Sequence, residues 1–565
     1  MEIRFNTYYS NEELAAILQS LAKEYPEIME LHTLGKTHEG RDIPLVVITN
    51  KQTGPDKEKP ASWLDGNIHA AELAPSMAAL YFIHKILSQY GKDAKITRIV
   101  NEQTLYVAPR LNPDGAATAL SATNPQYLRS GTRPYPLKDK QDGLHMQDID
   151  GDGRLLQMRI QDPTGDWKVS EKDARLMVKR GLDEEGGTYY RLFPEGLIEN
   201  YDGTTVLMAP AYQGLDFNRN FPWAWRPEGE QVGAGDYPAS EPEVRAIVEF
   251  ITQHPNICSA ITYHTFSRVI LRPFSTKSDD EMDTEDKWVY EAIGEMGTKM
   301  TGYPAVSVFH NFKYHPREVI TGTFDDWLFD HKGIFGFTIE LWDIANAAGI
   351  EEKSKQKNFI EWLRKHPLED DLKIFDFIVK NAPEGLVPWY EFNHPQLGKI
   401  ELGGWDRLFT WRNPPTKLLE AEIAPQADFA IAFASLVPRL AWRNVEVKPL
   451  GEGNYQVRAL VENLGFLPTH VSNQARKMRA VKPIRLELVL PAGASIKTGK
   501  LKQDIGHLEG RSSKQDTSYY GPYASSPTDN RGKTEWVIYA PQGGVLKLTA
   551  IADRAGTIRR EVELR

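Results

Sequence analysis

The sequence predicts an α/β chain: a mostly parallel, mixed sheet with helices on both faces, followed by a C-terminal β-sandwich. Three observations carry this. Helical and strand patterns alternate through residues 1 to 125. Three apolar, β-prone runs each end beside groups with chemical potential, at His69, His264 and Glu340. From Trp442 onward the spacing changes to short alternating strands separated by turn residues.

Taken in order, Asn11 to Tyr25 has helical spacing (Leu14, Ile17, Leu18, Leu21), with Asn11 as cap and Glu12 and Glu13 in the first turn. Trp63-Leu64-Asp65-Gly66-Asn67-Ile68 reads as a short strand opening into a Gly/Asn loop, and Leu73 to Leu87 as a helix. His69 and Glu72 therefore fall on a strand-to-helix connection, where open α/β sheets place their ligands. Ile257 to Tyr263 and Phe335 to Leu341 are the other two strand runs; the first stops at His264 and the second carries Glu340. Residues 130 to about 212 read as an insertion on the active-site side, and 365 to 415 as a second, irregular insertion rich in Pro, Trp and Gly. Lys417 to Leu440 reads as a closing helix, which sets a catalytic domain at 1–440 and an accessory sandwich at 441–565. Val445-Glu446-Val447, Tyr455 to Val461, Arg485 to Leu490 and Val545 to Ala550 alternate apolar and polar residues, and 510 to 533 reads as a long loop.

Composition bounds the function. A 565-residue chain with 41% apolar residues can bury a large core in two or three domains. A net charge of −10 and a pI near 5.9 argue against nucleic acid or an anionic membrane as partner. No apolar run approaches the length of a membrane-spanning helix. The start, Met1-Glu2-Ile3-Arg4-Phe5-Asn6, lacks the pattern of a secretory signal, and the one cysteine, Cys258, excludes an internal disulfide. A reducing cytoplasm is the expected compartment.

Histidine and carboxylate three residues apart, as in His69-Ala70-Ala71-Glu72, can converge on one cation, and a distant histidine such as His264 completes the set. Two histidines, one glutamate and an open fourth position make up a catalytic zinc site, with one ion per chain. Such an ion activates water near neutral pH, and a further carboxylate, for which Glu340 is the candidate, takes its proton. An isolated His-x-x-Glu is weak evidence; its placement between a strand and a helix, with His264 and Glu340 at two further strand ends, is what strengthens it.

Several further segments give the chain a specific resemblance. Glu39-Gly40-Arg41-Asp42, Asn112-Pro113-Asp114-Gly115, Asp216-Phe217-Asn218-Arg219-Asn220-Phe221-Pro222, Ser240-Glu241-Pro242-Glu243, Asp325-Asp326-Trp327 and Thr338-Ile339-Glu340-Leu341 follow one another in the order found in zinc metallocarboxypeptidases of the A/B type. The chain resembles that family over roughly residues 10 to 440, so the predicted fold is carboxypeptidase-like. The resemblance implies that His69, Glu72 and His264 ligate zinc, that Glu340 is the general base, and that Asn218 and Arg219 grip the free α-carboxylate of a peptide. It implies that Asp216 orients the His69 ring. It assigns the oxyanion to Arg129, with Arg133 close enough to compete. Because the similarity begins near the N-terminus, no inhibitory pro-domain is expected ahead of it.

Three positions depart from the family pattern. Ala71 stands where pancreatic-type members have an arginine, and Phe266 stands where a tyrosine is common. The tyrosine that closes over substrate has no match: its place falls at Glu318, and Tyr314 lies four residues earlier. These put substrate fit in doubt rather than chemistry. Asp325 aligns with the floor of the pocket for the C-terminal side chain, where an acid favours Lys or Arg; it reads equally as a helix-start carboxylate.

Asp148-Ile149-Asp150-Gly151-Asp152-Gly153-Arg154 resembles the start of a calcium loop, with Asp148, Asp150 and Asp152 as ligands. Its twelfth position is Arg159 rather than glutamate, so an acidic Gly-rich turn without metal is the alternative. The functional expectation is a zinc exopeptidase acting on peptides with a free C-terminal carboxylate. The alternative is a zinc amidohydrolase of the same fold acting on cell-wall γ-D-glutamyl peptides or acyl-amino acids. A non-catalytic binding protein is disfavoured, because all three ligands and Glu340 are present.

Overall fold

The computed structural model describes residues 3–315, 317–351, 362–363, 365–512 and 527–565. The loop expected at 510–533 falls largely outside them.

An eight-stranded mixed sheet organises the first 440 residues. Its strands are β1 (Met29–Lys36), β2 (Asp42–Ile48), β3 (Ala61–Gly66), β4 (Thr104–Ala108), β5 (Ile257–Thr265), β6 (Val269–Arg272), β7 (Ala305–Ser307) and β8 (Phe335–Leu341), in the spatial order β1-β2-β4-β3-β5-β8-β6-β7. The central β4, β3, β5 and β8 run parallel. Antiparallel pairs flank them at β2–β4 and β8–β6.

Alternation along the strands explains why both faces are covered. Val46, Ile48, Leu64, Leu105, Val107, Ile261 and Tyr263 point to one core, against helices Asn11–Glu24, Ala74–Gln89, Thr284–Thr301 and Thr416–Ala434. Leu45, Val47, Trp63, Tyr106 and Ala260 point to the other, against helix Pro242–Gln253 and Phe324, Trp327 and Leu328. The closing helix ends at Ala434 rather than 440, because Leu440 already opens the first C-terminal strand.

The two insertions build one unit together. Strands Gln157–Gln161, Trp167–Val169, Met177–Lys179 and Tyr190–Pro194 join Leu386–His394 and Gly398–Trp405 in a six-stranded sheet. The expectation of an irregular 365–415 is therefore corrected: it holds a helix, Leu368–Asn381, and a hairpin whose Glu401, Leu402 and Gly403 pair with Arg159, Met158 and Gln157. Its Gly and Pro residues hid the pattern. Gly403 and Gly404 both take positive φ, where β-branched residues strain.

C-terminally, two four-stranded sheets pack around Val457, Leu486, Trp536 and Leu548. This unit docks on the first through buried Arg554, which donates to the carbonyls of Lys332 (2.6 Å), Gly333 (3.1 Å) and His470 (3.4 Å).

Candidate active site

The chemistry-bearing residues meet where the parallel strands end. The chain leaves β3 through Gly66, where a Cβ would lie 2.5 Å from the Pro75 carbonyl oxygen, so only glycine fits. Asn67, at φ 63°, then turns the backbone. Its Nδ2 donates to the carbonyls of His69 (2.9 Å) and Glu72 (2.8 Å), fixing the loop that holds both. His264 and Glu340 sit side by side, because β5 and β8 are parallel and pair these two residues directly.

Three acceptor atoms converge. His69 Nδ1 lies 3.0 Å from Glu72 Oε1 and 3.0 Å from His264 Nδ1, and His264 Nδ1 lies 3.2 Å from Glu72 Oε2. All three residues are buried. Their other bonds fix which atoms carry protons. His69 Nε2 faces the carboxylate of Asp216 at 3.1 Å, so the proton sits on Nε2 and Nδ1 presents a lone pair. The Thr262 hydroxyl donates to Asp65 (2.6 Å), which leaves its oxygen to accept from His264 Nε2 at 3.4 Å. Two bare imidazole nitrogens and a carboxylate then face one another. Three acceptors with no donor between them call for a cation, and two imidazoles with one carboxylate match a catalytic zinc set.

Glu340 stands beside this triad. Burial, reinforced by Glu72 and opposed by His264, Arg129 and Arg412, pushes its carboxyl up to about 7. Its Oε2 is buried with no hydrogen-bond partner, and the residue is part of the cleft lining.

Asp216 is the hub of the opposite side. It accepts from Arg129 Nε (2.7 Å), His69 Nε2 (3.1 Å) and the Asn218 amide (2.9 Å), and Arg219 Nη2 lies 3.9 Å away. Burial raises its carboxyl, but Arg129, then Arg219 and His69, keep it well below the usual range. Asn218 accepts the Phe324 amide (2.8 Å), and Arg219 is anchored on the Asn218 carbonyl (2.7 Å).

Of the two competing arginines, only Arg129 reaches the triad, at 3.3 Å from Glu72 Oε1. Arg133 is held away by Glu241 (2.7 Å) and Asp236 (2.9 Å). A cleft of about 1030 Å³ exposes His69, Glu72, Arg129, Asp216, Arg219, Glu340 and Tyr314 together. Tyr314 thus enters the cleft, its ring 6.0 Å from the Arg219 guanidinium, despite its offset in sequence. Asp325 does not line this cleft. It is buried, accepts from the Asp326 amide (3.0 Å) and the Thr338 hydroxyl (3.4 Å), and no Lys or Arg pairs with it among the described residues.

Two residues of the site gave no sequence signal. Arg412 enters from the second insertion, with Nη1 3.1 Å from the Thr265 carbonyl and 3.4 Å from Glu72 Oε1. Asn413 braces the His69 loop from behind, accepting the Leu73 (2.7 Å) and Ala74 (2.9 Å) amides and donating to the Ala71 carbonyl (2.8 Å). Only the two Ala residues at 70 and 71, which leave room there, hinted that another segment fills it. In the acidic loop, the carboxylates brought within reach of one ion are Asp148, Asp150 and Glu195 rather than Asp152. Asp152 turns instead to its own chain, accepting the Arg154 amide (2.8 Å).

Comparison with known proteins adds the family. Rattus norvegicus carboxypeptidase A2 is 26% identical over 381 residues, covering 64% of this chain and 72% of that protein. Homo sapiens carboxypeptidase A1 is 25% identical over 345 residues, covering 60% of this chain and 63% of that protein. The chain thus spans about two thirds of these relatives' length. The crystal structure of carboxypeptidase A from Helicoverpa armigera is similar at 18% identity and a TM-score of 0.41, covering 67% of this chain and 73% of that one. A model described only as a domain of unknown function matches residues 439–563. The zinc carboxypeptidase model matches residues 14–359, more than half of the sequence, and the chain belongs to that family.

Proposed function

We propose that this chain is a zinc-dependent exopeptidase that hydrolyses the C-terminal bond of peptides bearing a free carboxylate. The observation that carries the reading is one cleft lined by His69 and Glu72 of the acceptor triad, by Glu340 and by the anchored Arg219, with His264 completing the triad behind it. His69, Glu72 and His264 would hold the ion. Zinc bound there would supply Lewis acidity that activates water for attack on a peptide carbonyl.

The chain's own groups do the rest. Arg219, with Asn218, binds the terminal carboxylate by paired charge-assisted hydrogen bonds. Arg129, already oriented by Asp216, donates to the scissile carbonyl oxygen as negative charge develops on it. Glu340 takes a proton from the attacking water and hands it to the departing amine. A preference for C-terminal Lys or Arg belongs to the same proposal on the sequence position of Asp325 alone, since that residue is buried outside the cleft lining. Calcium at Asp148, Asp150 and Glu195 is its second-metal part, supported by the convergence of those carboxylates. Calcium-dependent protection of 148–195 from proteolysis tests it.

The deciding experiment is mass spectrometry of a peptide pool incubated with zinc-loaded protein, each peptide supplied with a free and an amidated C-terminus. Single-residue loss from free ends only is the expected result. No trimming with zinc bound overturns the reading and turns the search to γ-D-glutamyl peptides and acyl-amino acids.

A further inference from the structure

Beside the cleft lies a second cavity of about 960 Å³. Its walls come from both insertions and carry an apolar part, Leu155, Leu192 and Phe193 from the first and Leu408, Phe409 and Trp411 from the second, beside the charged Arg154, Asp406 and Arg407. The six-stranded sheet that the insertions form jointly holds these walls in place. Tyr127, Phe266 and Arg412 line both cavities, so the two adjoin across these three residues. The Arg412 guanidinium lies over both rings, 5.0 Å from Phe266 and 5.4 Å from Tyr127, and hydrogen-bonds the Tyr127 hydroxyl.

A chain of contacts orients the chamber relative to the chemistry. Arg219 approaches Asp216 (3.9 Å), Asp216 holds His69 (3.1 Å), His69 meets Glu72 (3.0 Å), and Glu72 meets Arg412 (3.4 Å) at the chamber mouth. Arg219 itself lines the cleft and not the chamber. The acceptor triad therefore links the carboxylate-binding arginine to Arg412 on the wall that the two cavities share. With its terminal carboxylate on Arg219 and its scissile carbonyl at the triad, a peptide would direct its acyl side toward that wall.

We propose that this chamber is the acyl-side subsite, and that it selects substrates with a large apolar or aromatic residue immediately upstream of the cleaved bond. The proposal rests on the exopeptidase reading for its direction. The chemistry follows from the walls: an apolar side chain leaves water for Leu155, Leu192 and Phe409, a gain that glycine at the same position cannot make.

The test uses the zinc-loaded full chain and N-acetyl dipeptides that share a C-terminal residue and carry Phe, Leu, Gly or Asp upstream. In the wild type, kcat/KM for Phe should exceed that for Gly by roughly tenfold to a hundredfold, the discrimination one buried apolar group provides. Leu155→Asp and, as a volume-filling second variant, Leu192→Trp should each bring the Phe-to-Gly ratio toward one. A wild-type ratio near one, or a ratio that neither variant changes, overturns the proposal. Titration with the acyl products, acetyl-Phe and acetyl-Gly, separates its failure from that of the exopeptidase reading. If no dipeptide is cleaved, the exopeptidase reading fails; tighter acetyl-Phe binding that Leu155→Asp abolishes still sustains the chamber, and equal binding of both sinks it.

Discussion

Replacing Asp216 with asparagine probes how the chain prepares its own metal ligand. Oδ1 of Asp216 receives His69 Nε2 (3.1 Å) and the Asn218 amide (2.9 Å), while Oδ2 receives Arg129 Nε (2.7 Å). Asparagine keeps only one of those oxygens. With its oxygen toward His69, its NH2 opposes the Arg129 N–H and drives that guanidinium away. With its NH2 toward His69, the imidazole must accept at Nε2, which moves the proton to Nδ1 and removes the lone pair that faces Glu72 and His264. Losing one charge-assisted hydrogen bond is worth about 1.5–3 kcal/mol. At about 1.4 kcal/mol per factor of ten, that is roughly a 10- to 150-fold effect, in line with the ~10–100-fold cost of mutating groups that orient metal ligands. Competition with a chromophoric chelator reads zinc affinity, and kcat/KM at saturating zinc reads the Arg129 contribution separately. Either a weaker zinc site or a lower kcat/KM at full occupancy is expected, depending on which rotamer prevails. Both quantities within twofold of wild type would refute the reasoning.

Three more outcomes follow from the same geometry. Glu340→Gln should retain zinc while kcat falls by about 10²–10⁴, the usual worth of a positioned general base; metal analysis beside single-turnover kinetics checks this. Chelation should abolish activity and lower the melting temperature of the wild type, both reversed by zinc, whereas His264→Ala should lose the zinc-dependent rise; free ion at a hundred times Kd would contribute about 2.7 kcal/mol. Asp325→Asn should lower the ratio of kcat/KM for C-terminal Lys or Arg over Leu, and an unchanged ratio would remove Asp325 from specificity.

What the sequence made legible was the local part of the site. His69 and Glu72 sit three residues apart on a strand-to-helix turn, and His264 and Glu340 end strands whose apolar runs are plain. What it did not make legible depends on pairings between distant segments. Arg412 and Asn413 reach residues some 340 positions earlier, and nothing in their neighbourhood marks them as facing a cleft. That Arg129 and not Arg133 lies beside Glu72 is visible only in three dimensions, where Arg133 is bonded to Glu241 and Asp236. The six-stranded sheet was hidden because neither insertion holds enough strands to read alone, and Gly403 and Gly404 interrupt the alternation of one of them. Glu195 escaped the acidic-loop reading because it joins Asp148 and Asp150 from a different part of the insertion.

Recognition of a free terminal carboxylate by Arg219, beside the metal-holding triad, is tested by comparing one peptide as free acid and as C-terminal amide, with zinc-loaded wild type and Arg219→Ala. Wild type should cleave the acid and spare the amide. In Arg219→Ala, kcat/KM for the acid should fall by about 10²–10³, the loss of a buried charge partner worth about 3–5 kcal/mol less whatever Asn218 retains. An Arg219→Ala enzyme that still prefers the acid as strongly as wild type would contradict it.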